Sequence, residues 1–158
     1  NVAREEKDWP LEHGKTTMFT KQMDVRGVLS SLDHYTFKHI HEQTIMGHLH
    51  LHVDSIPNAQ SFFMDVLGFE KVLLYGGQAL FISDQGYHHH IGLNTWHQGA
   101  PLCEERQIGL KGYKIFIPKD SYLSFIHRLE NAHIPLLTDN GIPYIVDPLQ
   151  QKIYIETN

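Results

Sequence analysis

The chain is 158 residues long, 41% hydrophobic and 20% charged, with a formal net charge of −5. This is the make-up of one folded domain, not of a disordered, collagen-like or coiled-coil chain. Its 13 lysines and arginines against 18 carboxylates leave no cationic surplus for a phosphate backbone, which argues against a nucleic-acid partner, and no apolar run approaches the ~20 residues that span a bilayer.

In chain order, residues 1–43 read as a polar connector arm with one short helix, for which Asp24 is the N-cap and Val25, Val28, Leu29 and Leu32 recur at helical spacing. From Met46 the pattern changes. His48-Leu49-His50-Leu51-His52-Val53 alternates strictly, as a half-buried strand does. Ser55 caps a helix with Pro57 in its first turn, an apolar stripe of Phe62, Phe63, Val66 and Leu67, and Gly68 as its stop. Strands follow at 70–75, 79–83 and 88–96, joined by Gly76-Gly77 and Asp84-Gln85-Gly86 turns. The same order then recurs. A strand at 113–117 ends at Pro118, and Asp120 or Ser121 caps a helix with the stripe Leu123, Phe125, Ile126 and Leu129. Strands come next at 136–138, 144–146 and 152–157, with Asn140-Gly141 and Asp147-Pro148 as turns. Phe62, Phe63 and Val66 precede Phe125, Ile126 and Leu129 by a constant interval, so the chain contains an internal βαβββ duplication, with modules of about 46–97 and 110–158. The fold expected is α+β: tandem βαβββ modules curling a mixed sheet into a cup, with the helices on the convex face.

Histidine is in excess, at 13 residues, ten of them within 34–52 and 88–97. Alternation sends Leu49, Leu51, Ile91 and Leu93 to the helices. It leaves His48, His50, His52, His88, His90, Asn94 and Trp96 facing the cup, with Tyr154 and Glu156 from the last strand. His89 falls on the opposite side and reads as structural. Burying so many imidazoles without partners costs on the order of 1–3 kcal/mol each. Two or three neutral imidazoles with one carboxylate form a divalent transition-metal ligand set, the facial arrangement of non-haem Fe(II) among them. A further histidine beside the metal suits general acid–base work. The single cysteine, Cys103, excludes an internal disulfide and suits a reducing cytoplasm. No base is paired with it in sequence, and it is not read as a nucleophile.

Several stretches resemble the vicinal oxygen chelate superfamily, the fold of glyoxalase I, bleomycin-resistance proteins and type I extradiol dioxygenases. They are Met46-Gly47-His48-Leu49-His50-Leu51, Asp65-Val66-Leu67-Gly68-Phe69, the run from Gly86 through His88-His89-His90 to Asn94-Thr95-Trp96, and Asp147-Pro148. The likeness covers residues 44–158 and is strongest to catechol 2,3-dioxygenase-like proteins, which carry two such domains. Lys7-Asp8-Trp9-Pro10 and the segment from Met23 to Leu29 resemble the connector into their second domain. The resemblance therefore implies the C-terminal half of a two-domain cytoplasmic protein that pairs with a second such domain, and a homo-oligomer is compatible with it. The activity implied is ring opening of a small aromatic diol by O2 on a divalent metal, Fe(II) foremost, with Mn, Zn or Ni as alternatives.

In the ligand pattern the resemblance implies, His48 matches the histidine of the first strand and His90 the ligand of the fourth. Gly112 stands where extradiol enzymes have a second-module histidine, and Tyr154 where they have a glutamate. Glu156 lies two residues further on the same face. Either the ligands are His48, His90 and Glu156, or this half does not bind metal in the family way. In the first case His50 or His88 takes the diol proton, and Tyr154, Asn94 and His52 contact substrate. The alternatives are a metal-free small-molecule-binding or structural domain, and a glyoxalase-like lyase or isomerase using Zn(II) or Ni(II).

Overall fold

The computed structural model describes residues 11–16, 22–32, 39–97 and 108–157. His34, Cys103 and Lys7–Pro10, singled out above, lie outside the described residues. The chain divides into two compact units, residues 1–47 and 48–158.

In the first unit, β1 (Leu11–Glu12) and β2 (Lys15–Thr16) pair antiparallel, turning at His13 and Gly14, both with positive φ. Helix α1 (Val25–Ser30) begins at the expected cap, where Asp24 Oδ1 accepts the Gly27 N–H at 2.9 Å.

The second unit holds the duplication. Its first module runs β3 (Leu49–His52), α2 (Ile56–Gln60), β4 (Glu70–Tyr75), β5 (Ala79–Ser83) and β6 (Ile91–Asn94). Its second runs β7 (Gly112–Ile117), α3 (Tyr122–Asn131), β8 (Leu137–Asp139), β9 (Ile142–Val146) and β10 (Lys152–Thr157). Each module forms a four-stranded mixed sheet, in the orders β3-β6-β5-β4 and β7-β10-β9-β8. In both, the first strand pairs parallel with the last and the others pair antiparallel. The repeat seen in the sequence is thus a repeat of topology.

Two local departures have physical causes. Helix α2 continues as a π-helical segment over Ser61–Val66, with Leu67 N–H reaching back to the Phe62 carbonyl at 3.1 Å. The wider turn brings Phe62, Phe63, Val66 and Leu67 all onto the buried side. In α3 the stripe is Phe125 and Leu129, with Tyr122 and Ile126 packed against the core, and Leu123 stands 71% exposed. Steps of three and four lead from Tyr122 to Phe125 and Ile126 and from these to Leu129, and position 123 lies off that face.

The core joins both modules. Leu51, Leu80, Ile82, Ile91 and Leu93 from the first sheet and Ile145, Ile153 and Ile155 from the second meet Phe63 and Phe125. Where the two helical segments touch, the Arg128 Nε donates to the Val66 carbonyl at 2.8 Å and its Nη2 to the Leu67 carbonyl at 3.4 Å. A cation thereby caps a helix C-terminus whose carbonyls have no helical partners. Arg128→Met is expected to lower stability by about 1–3 kcal/mol, read as a fall in the urea midpoint at unchanged slope. An unchanged midpoint would show that the two modules do not depend on this cap.

Candidate metal centre

Alternation along β3 turns Leu51 into the core and leaves His50 and His52 on the other face. Parallel pairing sets His50 opposite Gly92 and His52 opposite Asn94. Gly92 makes room for the His50 ring: a β-carbon built there would stand 2.8 Å from His50 Cε1 and 2.9 Å from its Nδ1. Beside it, residues 88–90 form a bend that precedes β6, and this bend turns His89 inward. His89 is 5% exposed, with its ring centroid 4.4 Å from that of His48, 5.7 Å from His50 and 5.0 Å from Phe81.

His48, His50 and His89 each present a ring nitrogen, all within 4.8 Å of one another. Nitrogens bound to one ion at about 2 Å lie no more than about 4 Å apart, so the spacing approaches that of a ligand set. His89 Nε2 is buried and has no hydrogen-bond partner, and a buried imidazole nitrogen without a partner is one that a cation would satisfy. Burial, then the neighbouring His48, His88 and His50, push the His89 pKa down to about 4. Burial and then His48 and His52 lower that of His50. Both rings are therefore neutral at physiological pH, the form that binds metal. Three imidazoles without a carboxylate would leave a bound divalent ion with its full charge, which suits it to polarise an oxygen ligand.

This trio differs from the expected ligands His48, His90 and Glu156. The strand expected over 88–96 is shorter, Ile91–Asn94, so alternation does not extend back to residues 88–90. The His90 Nδ1 instead accepts the Asp84 N–H at 3.1 Å, and its ring lies 4.7 Å from that of Tyr87. Glu156 is on β10 and pairs with Lys114 at 3.0 Å. His50, expected as a base, is part of the trio. His88 touches His89, the two Nδ1 atoms 2.8 Å apart. Among the calls on substrate contacts, Tyr154 donates its hydroxyl to Asp139 Oδ2 at 3.1 Å, where Lys152 also binds at 2.6 Å. These two bonds, Lys152 first, hold the Asp139 pKa below its ordinary value. At Gly112, a β-carbon would stand 2.6 Å from the Lys152 carbonyl oxygen, so the close β7–β10 pairing leaves no room for a histidine there.

His52 and Asn94 are brought together, with His52 Nδ1 2.7 Å from Asn94 Oδ1. The Trp96 backbone N–H also points to that oxygen at 3.3 Å. Because a backbone N–H can only donate, the Asn94 atom is the amide oxygen. His52 Nδ1 must then carry a proton and donate it, which leaves Nε2 as a bare acceptor.

Paired βαβββ sheets of this order form the vicinal oxygen chelate fold. Solved structures of the same fold include lactoylglutathione lyase from Agrobacterium tumefaciens, 21% identical over 74% of this chain and 96% of that one, TM-score 0.52. Fosfomycin resistance protein FosX from Listeria monocytogenes, solved with Mn(II) and sulfate, is 11% identical over 73% and 90%, TM-score 0.55. By sequence, the chain is similar to catechol-2,3-dioxygenase of Bacillus subtilis (strain 168), 37% identical over 139 residues. That alignment takes in 86% of this chain, which spans about half, 49%, of the relative's length. No protein-family model matches the chain. Among the described residues, no helix is long and apolar enough to cross a membrane.

Proposed function

We propose that this chain is the metal-carrying half of an extradiol dioxygenase-like enzyme that opens catechol-type diols with O2. The carrying observation is the trio His48, His50 and His89, converging on one face with a buried, unpartnered Nε2 among them. The similarity to catechol-2,3-dioxygenase supports the diol as substrate class. When bound, a divalent ion, Fe(II) in this reading, would supply a Lewis-acidic centre at which diol and O2 meet. Its holders would be His48, His50 and His89.

The chain's own contribution to the chemistry lies one pair further along β3. Two residues of strand advance about 7 Å, which sets His52 beside the trio on the same face. With the Nδ1 proton donated to Asn94, the Nε2 of the neutral ring is placed to accept a diol proton, and the ring centroid lies 4.8 Å from that of His97. Phe81 beside His50 and His89 gives the floor of the site an apolar patch suited to an aromatic ring.

The test is anaerobic reconstitution with Fe(II), followed by oxygen consumption on adding catechol. His52→Gln is expected to keep its metal and lose about 10²–10⁴-fold in turnover. Metal uptake without oxygen consumption, in a chain supplemented with the remainder of its full-length protein, would move the reading to a glyoxalase-like lyase or isomerase. Absence of metal uptake would leave a small-molecule-binding domain. That second reading draws support from Gly112 and the Lys114–Glu156 pair in the second module.

A further inference from the structure

We infer that His88 is a positioning residue: it holds His89 in the tautomer that carries its proton on Nδ1 and leaves the buried Nε2 bare, to be the ligand atom His89 offers beside His48 and His50. The two Nδ1 atoms lie 2.8 Å apart, so one proton lies between them and one ring must donate it. If His88 donated, the neutral His89 would carry its proton on Nε2. That buried atom has no acceptor, and an orphaned buried N–H is among the rarest and costliest arrangements in a folded protein. If His89 donates instead, the buried Nε2 is a lone pair, the costly orphan donor disappears, and the ring keeps the bare nitrogen a cation needs.

Surrounding contacts favour the same ring placement. His89 is wedged edge-on against Phe81 at 5.0 Å and against His48 at 4.4 Å. His88 is itself stacked on Tyr87 at 4.2 Å, which anchors the acceptor. A ligating imidazole whose second nitrogen donates to a fixed acceptor is a better and better-oriented ligand than one left to rotate. His88 therefore serves the site without entering it, through the His89 N–H.

The inference deepens the metal-site reading above, but its core, the His89 tautomer, belongs to the metal-free chain. Long-range proton–nitrogen correlation spectra of that chain at pH 7.5 are expected to show the His89 proton on Nδ1. They should also show this preference lost in His88→Ala. Zn(II) affinity, measured by chelator competition, is expected to fall 10–100-fold in His88→Ala. It should be largely restored in His88→Asn, whose Oδ1 branches from Cγ as Nδ1 does and can accept the same bond. A His89 proton found on Nε2, or a His88→Ala chain with wild-type affinity, overturns the inference. A wild-type chain that takes up no Zn(II) overturns the metal reading instead, and the tautomer alone then decides this one.

Discussion

His89→Ala and His50→Ala are each expected to weaken divalent-metal binding by more than about 100-fold. His90→Ala and Glu156→Gln should leave it within about threefold. Loss of a residue that merely supports a ligand costs 10–100-fold, and loss of one of three ligands must cost more. Competition with a chromogenic chelator using Zn(II), and metal content after dialysis, read the series directly. His89 is buried, so its truncation also opens a cavity. His89→Gln retains most of the volume while removing the ring nitrogen, and thermal midpoints for both variants separate lost ligation from lost fold. His90 and Glu156 already hold Asp84 N–H and Lys114, which is why their replacement should spare the metal. Loss of metal in those two variants with retention in His89→Gln would restore the ligand set expected from the sequence.

The stability gained on replacing Asp147 with Asn is expected to grow by about 3 kcal/mol as pH rises from 4 to 6 and then level off, this one carboxyl opposing the gain that the buried, neutral His89 brings over the same range. Asp147 is the cause. It is 2% exposed, and its Oδ1 accepts the Leu149 and Gln151 N–H groups at 2.9 and 2.8 Å, holding the turn after β9. Its Oδ2 is buried without a partner. Burial raises its pKa from 3.8 to about 6, against the two hydrogen bonds that lower it. The folded chain thus keeps a proton that the unfolded chain has already released. Below pH 4 both forms are protonated and there is no penalty. Between 4 and 6 the folded form keeps this proton, so the contribution of Asp147 to stability falls with rising pH. A little over two pH units at about 1.4 kcal/mol each gives the stated total. The buried Tyr113 phenol nearby is pushed to high pKa by burial first and Asp147 second, and remains neutral throughout. Asp147→Asn keeps an oxygen for both N–H groups, and is expected to exceed wild type at pH 7 by a margin that shrinks towards pH 4. Urea denaturation across pH 4–8 checks both statements. A difference between the two chains that does not change over pH 4–6 would refute the assignment.

The order of elements was legible because it rests on local rules. Alternation in 48–53, a helical stripe before Gly68, and turn residues at 76–77, 84–86 and 140–141 are short-range signals, and their recurrence marked the two modules. Edges were legible to within a few residues. The main misreading came at 88–90, where alternation was extended into a stretch that is a bend. A face can be projected along a chain only where a ladder enforces the pleat, and here the ladder begins at Ile91, paired to Leu49 and Ile82. For that reason His89 fell on the far face in the sequence reading, while the structure sets its ring against that of His48. Gly92 carried no signal in sequence, since its role depends on a ring from another strand.

By itself, then, the sequence determined a βαβββ repeat, the helical and strand faces that form its core, and a histidine excess concentrated near the first module's outer strands. Those are properties of neighbours within a few residues, set by backbone period and side-chain polarity. Only the tertiary structure decided which histidines meet. His50 over Gly92, His89 against His48, Glu156 on Lys114 and Gly112 under the Lys152 carbonyl are pairings between residues 40 to 42 positions apart. They follow from strand register and from one bend, and no local rule carries that information.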